Sequence, residues 1–316
     1  MSFAGHEEPW REWRAALGSE RMHHAWILTG RRGVGKGGFA LEAAGELVGG
    51  SAMEDHPDFL VLTHPPKDDK EADKRAEGKP YETKRNIPVD EVRAMQRRLT
   101  TRPTLGERRV VIVDPADDLE PSASNALLKS LEEPPQGTFF LLVAHRIGRL
   151  LPTIRSRCRI LRFPAVPGDQ IDAILRRETP EADQATRAAA VAASAGSPGA
   201  ALEFVGLGLG EMHKLMQQLV QAGDPDFARR GKLAEVMGAR PERKRQLAAI
   251  DLARSVVAEA MRTVERRSIP ALAEAHSELS RLAAQAPTYN YDAGLLVMEI
   301  GSLLAALAAP SEAAHG

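Results

Sequence analysis

The chain has 316 residues, more than one ordinary hydrophobic core holds, and reads as two or three domains. Apolar residues make up 43% and charged residues 27%, the mix of a globular protein in water, while 4% aromatics with abundant Ala and Leu favours helices over a sandwich or barrel. A formal net charge of -1 excludes a global attraction to nucleic acid or an anionic membrane, and a single cysteine, Cys158, excludes both a disulfide framework and a thiolate zinc site. No apolar run approaches the roughly 20 residues of a membrane span. Met1 to Arg14 carries acids and two tryptophans and does not read as a signal peptide, so the expectation is a cytoplasmic protein with no membrane partner.

In chain order, Ala25-Trp26-Ile27-Leu28 reads as a short buried strand, broken by the glycine-rich turn Gly30–Gly38. Phe39, Ala43 and Leu47 then recur every four residues, as a helix packed on a sheet requires. Phe59–Leu62 is a second strand. From Pro65 to Lys84 the residues are almost wholly polar, with two prolines, which predicts an exposed, mobile excursion in which acids and bases alternate. Val92, Met95 and Leu99 mark an amphipathic helix with Asp90 and Glu91 in its first turn, where the helix dipole favours acids.

Val110–Val113 is all apolar, as in a strand buried on both faces. Ser122–Glu133 reads as a helix stopped by Pro134-Pro135, Thr138–Ala144 as another buried strand, and Arg159–Phe163 as a short last one. Five strands interleaved with helices predict an α/β layer with a mainly parallel sheet. After Pro167 the strands cease. Ile171–Arg177, Ala185–Ala195 and Gly199–Val205 read as three short helices, and the chain is helical from Glu211 onward, closing with the apolar stretch Leu295–Leu307. The expected domains are 1–165 (α/β), 166–206 (a small helical lid) and 207–316 (all helical).

Three segments could carry chemistry. Gly30-Arg31-Arg32-Gly33-Val34-Gly35-Lys36 lies between strand and helix, the setting of a phosphate loop. Its glycines let backbone N–H groups point at phosphate oxygens, the helix N-terminus adds its dipole, and Lys36 adds charge. A plain glycine-rich turn is the bland alternative. The next residue should be a Ser or Thr holding Mg²⁺ and is Gly37. Asp114, at the end of an apolar strand, is placed to hold Mg²⁺ through water, but the Glu that should follow it to orient the attacking water is Pro115. Asp117 and Asp118, slightly further on, read as capping acids.

The third segment is Ser156-Arg157-Cys158. Arg155, Arg157 and Arg159 alternate, so an extended segment would point all three one way, where a guanidinium could reach a phosphate held by a neighbouring subunit. A solvated basic edge is the alternative. Cys158 reads as a small apolar side chain, since no His constellation supports it as a nucleophile. The nine histidines show no zinc-like spacing, and the adjacent His23 and His24 cannot face the same way on a strand.

Taken together, these segments resemble the AAA+ clamp-loader family of DNA polymerase III. The resemblance is carried by His23-His24-Ala25, by the phosphate loop, by Asn125-Ala126-Leu127-Leu128-Lys129-Ser130-Leu131-Glu132-Glu133-Pro134-Pro135, and by Ile154-Arg155-Ser156-Arg157-Cys158. It implies an AAA+ P-loop domain with a mainly parallel five-stranded sheet, a small helical lid and an all-α C-terminal collar for oligomerisation. Arg157 would act as an arginine finger in trans, while Gly30, Gly33, Gly35, Lys36 and Asp114 would form a degenerate nucleotide site. Gly37, Pro115 and Gly199, the last standing where a lid arginine would sense nucleotide, imply a subunit without turnover of its own. ATP or ADP is then at most a static ligand. No cofactor is required, and the four-cysteine zinc module common in the family has no counterpart in Gly49–Asp58. The implied partners are the gamma/tau and delta subunits and, through the complex, the beta sliding clamp and primed DNA. An active gamma/tau-like ATPase with Asp117 or Asp118 standing in for the missing Glu, a small-molecule phosphotransferase, and a scaffold without nucleotide chemistry are the alternatives.

Overall fold

Parallel strands need crossover connections, and the apolar runs of this chain are spaced to supply them. In the computed structural model, which describes residues 6–19, 21–49, 56–263, 269–286 and 291–308, the chain divides into two compact units, Met1–Val166 and Pro167–Gly316. The helices expected as lid and those expected as collar share the second unit.

The first unit opens with α1 (Glu7–Leu17), β1 (Ala25–Thr29), α2 (Lys36–Val48), β2 (Phe59–Leu62), α3 (Asp69–Ala76) and α4 (Val89–Leu99). It continues with β3 (Arg109–Val113), α5 (Pro121–Glu132), β4 (Thr138–Ala144), the single-turn α6 (Pro152–Arg155) and β5 (Arg159–Arg162). All five strands are parallel, in the order β2-β3-β4-β1-β5. Side chains alternate between the two faces. Ile27, Leu60, Val111, Phe140 and Leu142 pack under α4 and α5, while Trp26, Leu28, Val110, Ile112, Leu141 and Val143 pack under α1 and α2. Both faces being covered, β3, β4 and the first four residues of β1 can be apolar throughout apart from Arg109 and Thr138 at the strand starts.

Arg109 is the exception in the core. Its guanidinium donates to the carbonyls of Arg98, Thr101 and Arg102 at 2.6, 3.0 and 2.8 Å and approaches Asp58 Oδ1 at 3.5 Å. Asp58 in turn accepts from the N–H groups of Thr104 and Leu105 at 2.7 and 2.8 Å. Burial alone would push the Asp58 carboxyl up, but those two amides and Arg109 outweigh it and hold it below the usual carboxylate range. The pair thereby shapes the whole turn from α4 into β3.

The polar stretch Pro65–Lys84 corrects the sequence reading. It is mostly exposed, as its composition requires, but it is folded. Asp68 caps α3 by accepting from the Glu71 N–H at 3.0 Å. The Glu71 carboxylate accepts from Lys74 Nζ and from the Glu82 N–H, both at 2.7 Å. An antiparallel bridge, Pro66 to Thr83, closes the base. The Asp68…Glu71 spacing, an acid pair of the capping-box kind, was the overlooked signal.

The second unit comprises α7 (Gly168–Glu178), α8 (Gln184–Ser194), α9 (Pro198–Gly206), α10 (Gly210–Ala222), α11 (Ala228–Met237), α12 (Arg243–Thr263), α13 (Ile269–Gln285) and α14 (Ala293–Ala305). Asp183, Ser197 and Asp292 cap α8, α9 and α14 through backbone N–H groups three residues on. α7, α8 and α9 pack on one another, α10 and α12 join them through α8, and α14 packs against α10, α11, α12 and α13. No helix among the described residues is long and apolar enough to cross a membrane.

Removing one member of a buried pair leaves the other charge uncompensated. Asp58→Ala is expected to cost about 3–5 kcal/mol in denaturant unfolding. A loss below about 1 kcal/mol, the worth of an exposed pair, would show that Arg109 is hydrated there.

Candidate functional site

In a parallel sheet, polar groups converge where strands end, at their carboxyl edge. Here β1 runs into Gly30–Gly35, β3 into Asp114, and β4 into His145. Gly33 and Gly35 lie in the left-handed region, at φ 79° and 102°, which curls the loop ahead of α2. A Cβ on Gly30 would meet the Phe163 carbonyl oxygen at 2.5 Å, so the start of the loop can lie this close to the end of β5 only as glycine.

Lys36 is 2% exposed, and its ammonium donates to two carbonyls of its own loop, Gly30 at 2.8 Å and Arg31 at 2.6 Å. Burial outweighs the pull of the Asp114 and Asp117 carboxylates and pushes this lysine down to about 8. Asp114 is raised from the ordinary carboxylate range, chiefly by burial. Its Oδ2 lies 2.7 Å from where a Cβ on Gly37 would stand. A side chain at 37 would therefore need the Asp114 carboxylate, the free end of a flexible side chain, to turn aside. With Gly37 lacking a hydroxyl and Pro115 lacking a carboxylate, these residues do not fit a Mg²⁺ site of the hydrolytic kind.

The acids that might have stood in for Pro115 are committed elsewhere. Asp117 accepts from the backbone N–H groups of His145 and Arg146 at 2.8 and 3.1 Å, tying the turn after β3 to the end of β4. Asp118 lies 3.2 Å from His64 Nε2 and 3.9 Å from Arg149, and the closeness of His64 does most to hold its carboxyl low. His145, which sequence reasoning passed over, joins the loop's electrostatic surroundings. Burial and then the Lys36 charge push its imidazole down to about 4, so it is neutral at physiological pH. A polar residue directly after a buried parallel strand was the available signal.

Arg155, Arg157 and Arg159 do not lie on one extended segment, and Arg157 and Arg159 have different partners, contrary to the expectation. Pro152–Arg155 is the helical turn α6, and the strand begins only at Arg159. Arg157 lies on the intervening turn, its Nη2 2.7 Å from Glu132. Arg159 lies over the Trp26 ring, 4.9 Å from its centroid, and pairs with Glu12 at 3.3 Å. Cys158 packs against the core, and burial pushes its thiol up to about 12, which fits an apolar role and not a nucleophile.

His23 and His24 also differ from expectation. They do so in their contact with each other: both precede β1, where the sequence reading places them, and their rings stack at 4.8 Å. His23 Nδ1 is 2.9 Å from the Ala25 carbonyl and His24 Nε2 is 3.0 Å from that of Leu131, so both have structural partners. Gly199 lies in the first turn of α9. Among the described residues no group of three or more His, Cys, Asp or Glu is placed to hold a metal ion; residues 50–55 of the Gly49–Asp58 stretch and residues 1–5 of the N-terminal stretch lie outside the described residues.

The buried lysine makes stability depend on pH. An unfolded lysine keeps its proton up to about 10.5, whereas in the fold Lys36 loses it near 8. Between those values the unfolded chain binds more protons, so folding stability rises with pH. Over that window the native protein is expected to gain up to about 3 kcal/mol relative to Lys36→Met in urea unfolding; equal slopes for the two would mean a solvated ammonium.

Residues 5–167 match the family described as DNA polymerase III, delta subunit. The chain is 32% identical over 241 residues to the DNA polymerase III subunit delta' of Pseudomonas aeruginosa, covering 68% of each. It is 34% identical over 204 residues to that of Escherichia coli, covering 60% of this chain and 56% of the other. A gamma subunit-related protein of DNA polymerase III from Thermotoga maritima superposes with a TM-score of 0.52 at 20% identity, over 95% of this chain and 99% of that one, which shows a shared fold. With such a match across the first unit and beyond it, the chain belongs to the delta-prime (delta') subunit family of DNA polymerase III.

Proposed function

We propose that the chain is a cytoplasmic clamp-loader subunit that does not turn over ATP itself and lends Arg157 to the ATP site of an adjacent gamma/tau subunit. In this reading it assembles with gamma/tau and delta subunits through its C-terminal helices, and the complex opens the beta sliding clamp and places it on primed DNA. The observation that carries the reading is the Asp114 carboxylate seated against Gly37, in the space of a metal-binding side chain. Asp117 and Asp118 are engaged by the backbone and by His64, which argues against a gamma/tau-like active ATPase. Arg157, by contrast, keeps a guanidinium with 35% of its side-chain surface exposed. A guanidinium is always charged, and its planar donors match phosphate oxygens, so it can stabilise charge that develops in a neighbour's site.

Arginine fingers are worth about 10³–10⁵ in turnover. Arg157→Ala is accordingly expected to lower turnover by that order at the one ATP site it completes. The assay is DNA-stimulated hydrolysis by the reconstituted complex on primed DNA, with assembly followed by gel filtration. Loss of assembly would make Arg157 structural, and robust hydrolysis by the chain alone would make it a motor subunit.

Left-handed Gly33 and Gly35 curl the loop that leads into Lys36 at the start of α2. We infer that the loop can keep ATP or ADP as a static ligand, weakly, since Lys36 must first release two carbonyls. Calorimetric titration of the isolated chain is expected to register binding at millimolar nucleotide without turnover; no heat at that concentration would rule the static ligand out.

A further inference from the structure

The arginine on which the proposed function relies is held in cis. Arg157 Nη2 lies 2.7 Å from Glu132 Oε1, and its Nη1 donates to the Thr153 carbonyl at 3.0 Å and to Ser156 Oγ at 3.4 Å. Glu132 is the last residue of α5, and Glu133 follows it as the C-cap. A carboxylate at that end of a helix faces the negative pole of the helix dipole and the last unpaired carbonyls, so helix stability disfavours it there. Lys129 is the one basic residue in the last turn of α5 itself. The acid is thus poorly explained by its own helix, and the cation that meets it comes from a turn 25 residues further along the chain.

A carboxylate and a phosphate compete for the same donors of a guanidinium, because both present paired oxygens in its plane. We propose that Glu132 is a positioning residue that stows Arg157 and competes with the phosphate of the neighbouring subunit's nucleotide. This rests on the reading of Arg157 as a finger in trans. The side chains are 35% (Arg157) and 48% (Glu132) exposed, so water and salt weaken the pair. Exposed pairs of this kind bias a geometry by a factor of about 1.5 to 5, enough to hold the arginine in the free chain and little enough for a more highly charged phosphate to take it. The Thr153 carbonyl and the Ser156 hydroxyl, both neutral, fix the direction of the stowed side chain without adding to the charge it must leave.

The test uses the reconstituted complex with gamma/tau and delta, the clamp and primed DNA. It compares Glu132→Gln, Arg157→Ala and the double variant. Glu132→Gln keeps the shape and removes the charge. The expected result is a fall of about 1.5- to 5-fold in the half-saturating ATP concentration and a similar rise in turnover without DNA, both larger at low salt. Neither change should appear in the Arg157→Ala background. Thermal melting of each variant monitors the fold, and Glu132→Ala serves as the second substitution should the glutamine variant fail to fold. If Arg157→Ala cuts turnover while Glu132→Gln and Glu132→Ala change nothing, the competition is refuted and the finger stands. If Glu132→Gln lowers turnover as Arg157→Ala does, Glu132 supports the productive geometry, which also overturns the competition. If Arg157→Ala has no effect, both the finger and its restraint are wrong.

Discussion

A parallel sheet covered by helices on both faces leaves its strands no solvent side, and most of what is distinctive here follows from that constraint. β3 and β4 in the middle of the sheet, with β1 beside them, offer the chain only their ends for polar groups. The amino ends carry the Asp58–Arg109 pair, which fixes the entry into β3. The carboxyl ends carry Gly30, Asp114 and His145, which arrive together at one edge because the register aligns the strands that bear them. The glycine-rich loop and the strand-end acid are therefore neighbours by topology.

What the two ends do with buried charge differs. At the amino end, Arg109 meets three carbonyls and a carboxylate, and that carboxylate meets two amides, so each charge is compensated at hydrogen-bond distance. This compensation makes a stable corner, in which Arg109 Nε alone of the guanidinium nitrogens has no hydrogen-bond partner. At the carboxyl end, Lys36 satisfies itself on its own loop, while Asp114 is raised by burial and lies against Gly37. The loop is curled by its left-handed glycines, its lysine is turned to internal carbonyls, and the carboxylate of Asp114 lies where a side chain at 37 would begin.

The surface around Arg157 follows other physics. Pairs there are exposed, weak and sensitive to salt, so they can be exchanged for contacts with another molecule at little cost. The interior thus holds the sheet through buried contacts, while Arg157 is held loosely on a turn next to the edge strand β5. Arg159, anchored on Trp26 and paired with Glu12, belongs to the fixed part, although in the sequence it looks equivalent to Arg157.

The amino-acid sequence by itself determined the five strands, their helical connections and the absence of a hydroxyl at 37 and of a carboxylate at 115, because apolar periodicity and residue identity are local properties. Phe59–Leu62 and Thr138–Ala144 can be read residue for residue, and Gly37 and Pro115 lack the necessary groups in any conformation. The folded excursion at Pro65–Lys84 was within reach of the same reading through its Asp68 cap, but polar composition hid it. Only the tertiary structure decided the partners of Arg157 and Arg159, the stacking of His23 on His24, the engagement of Asp117 by residues 28 and 29 positions away, and the contact of Asp114 with Gly37. Each of these depends on which strand ends and turns the sheet brings side by side. That is set by long-range pairing between segments, and no periodicity within a single segment encodes it.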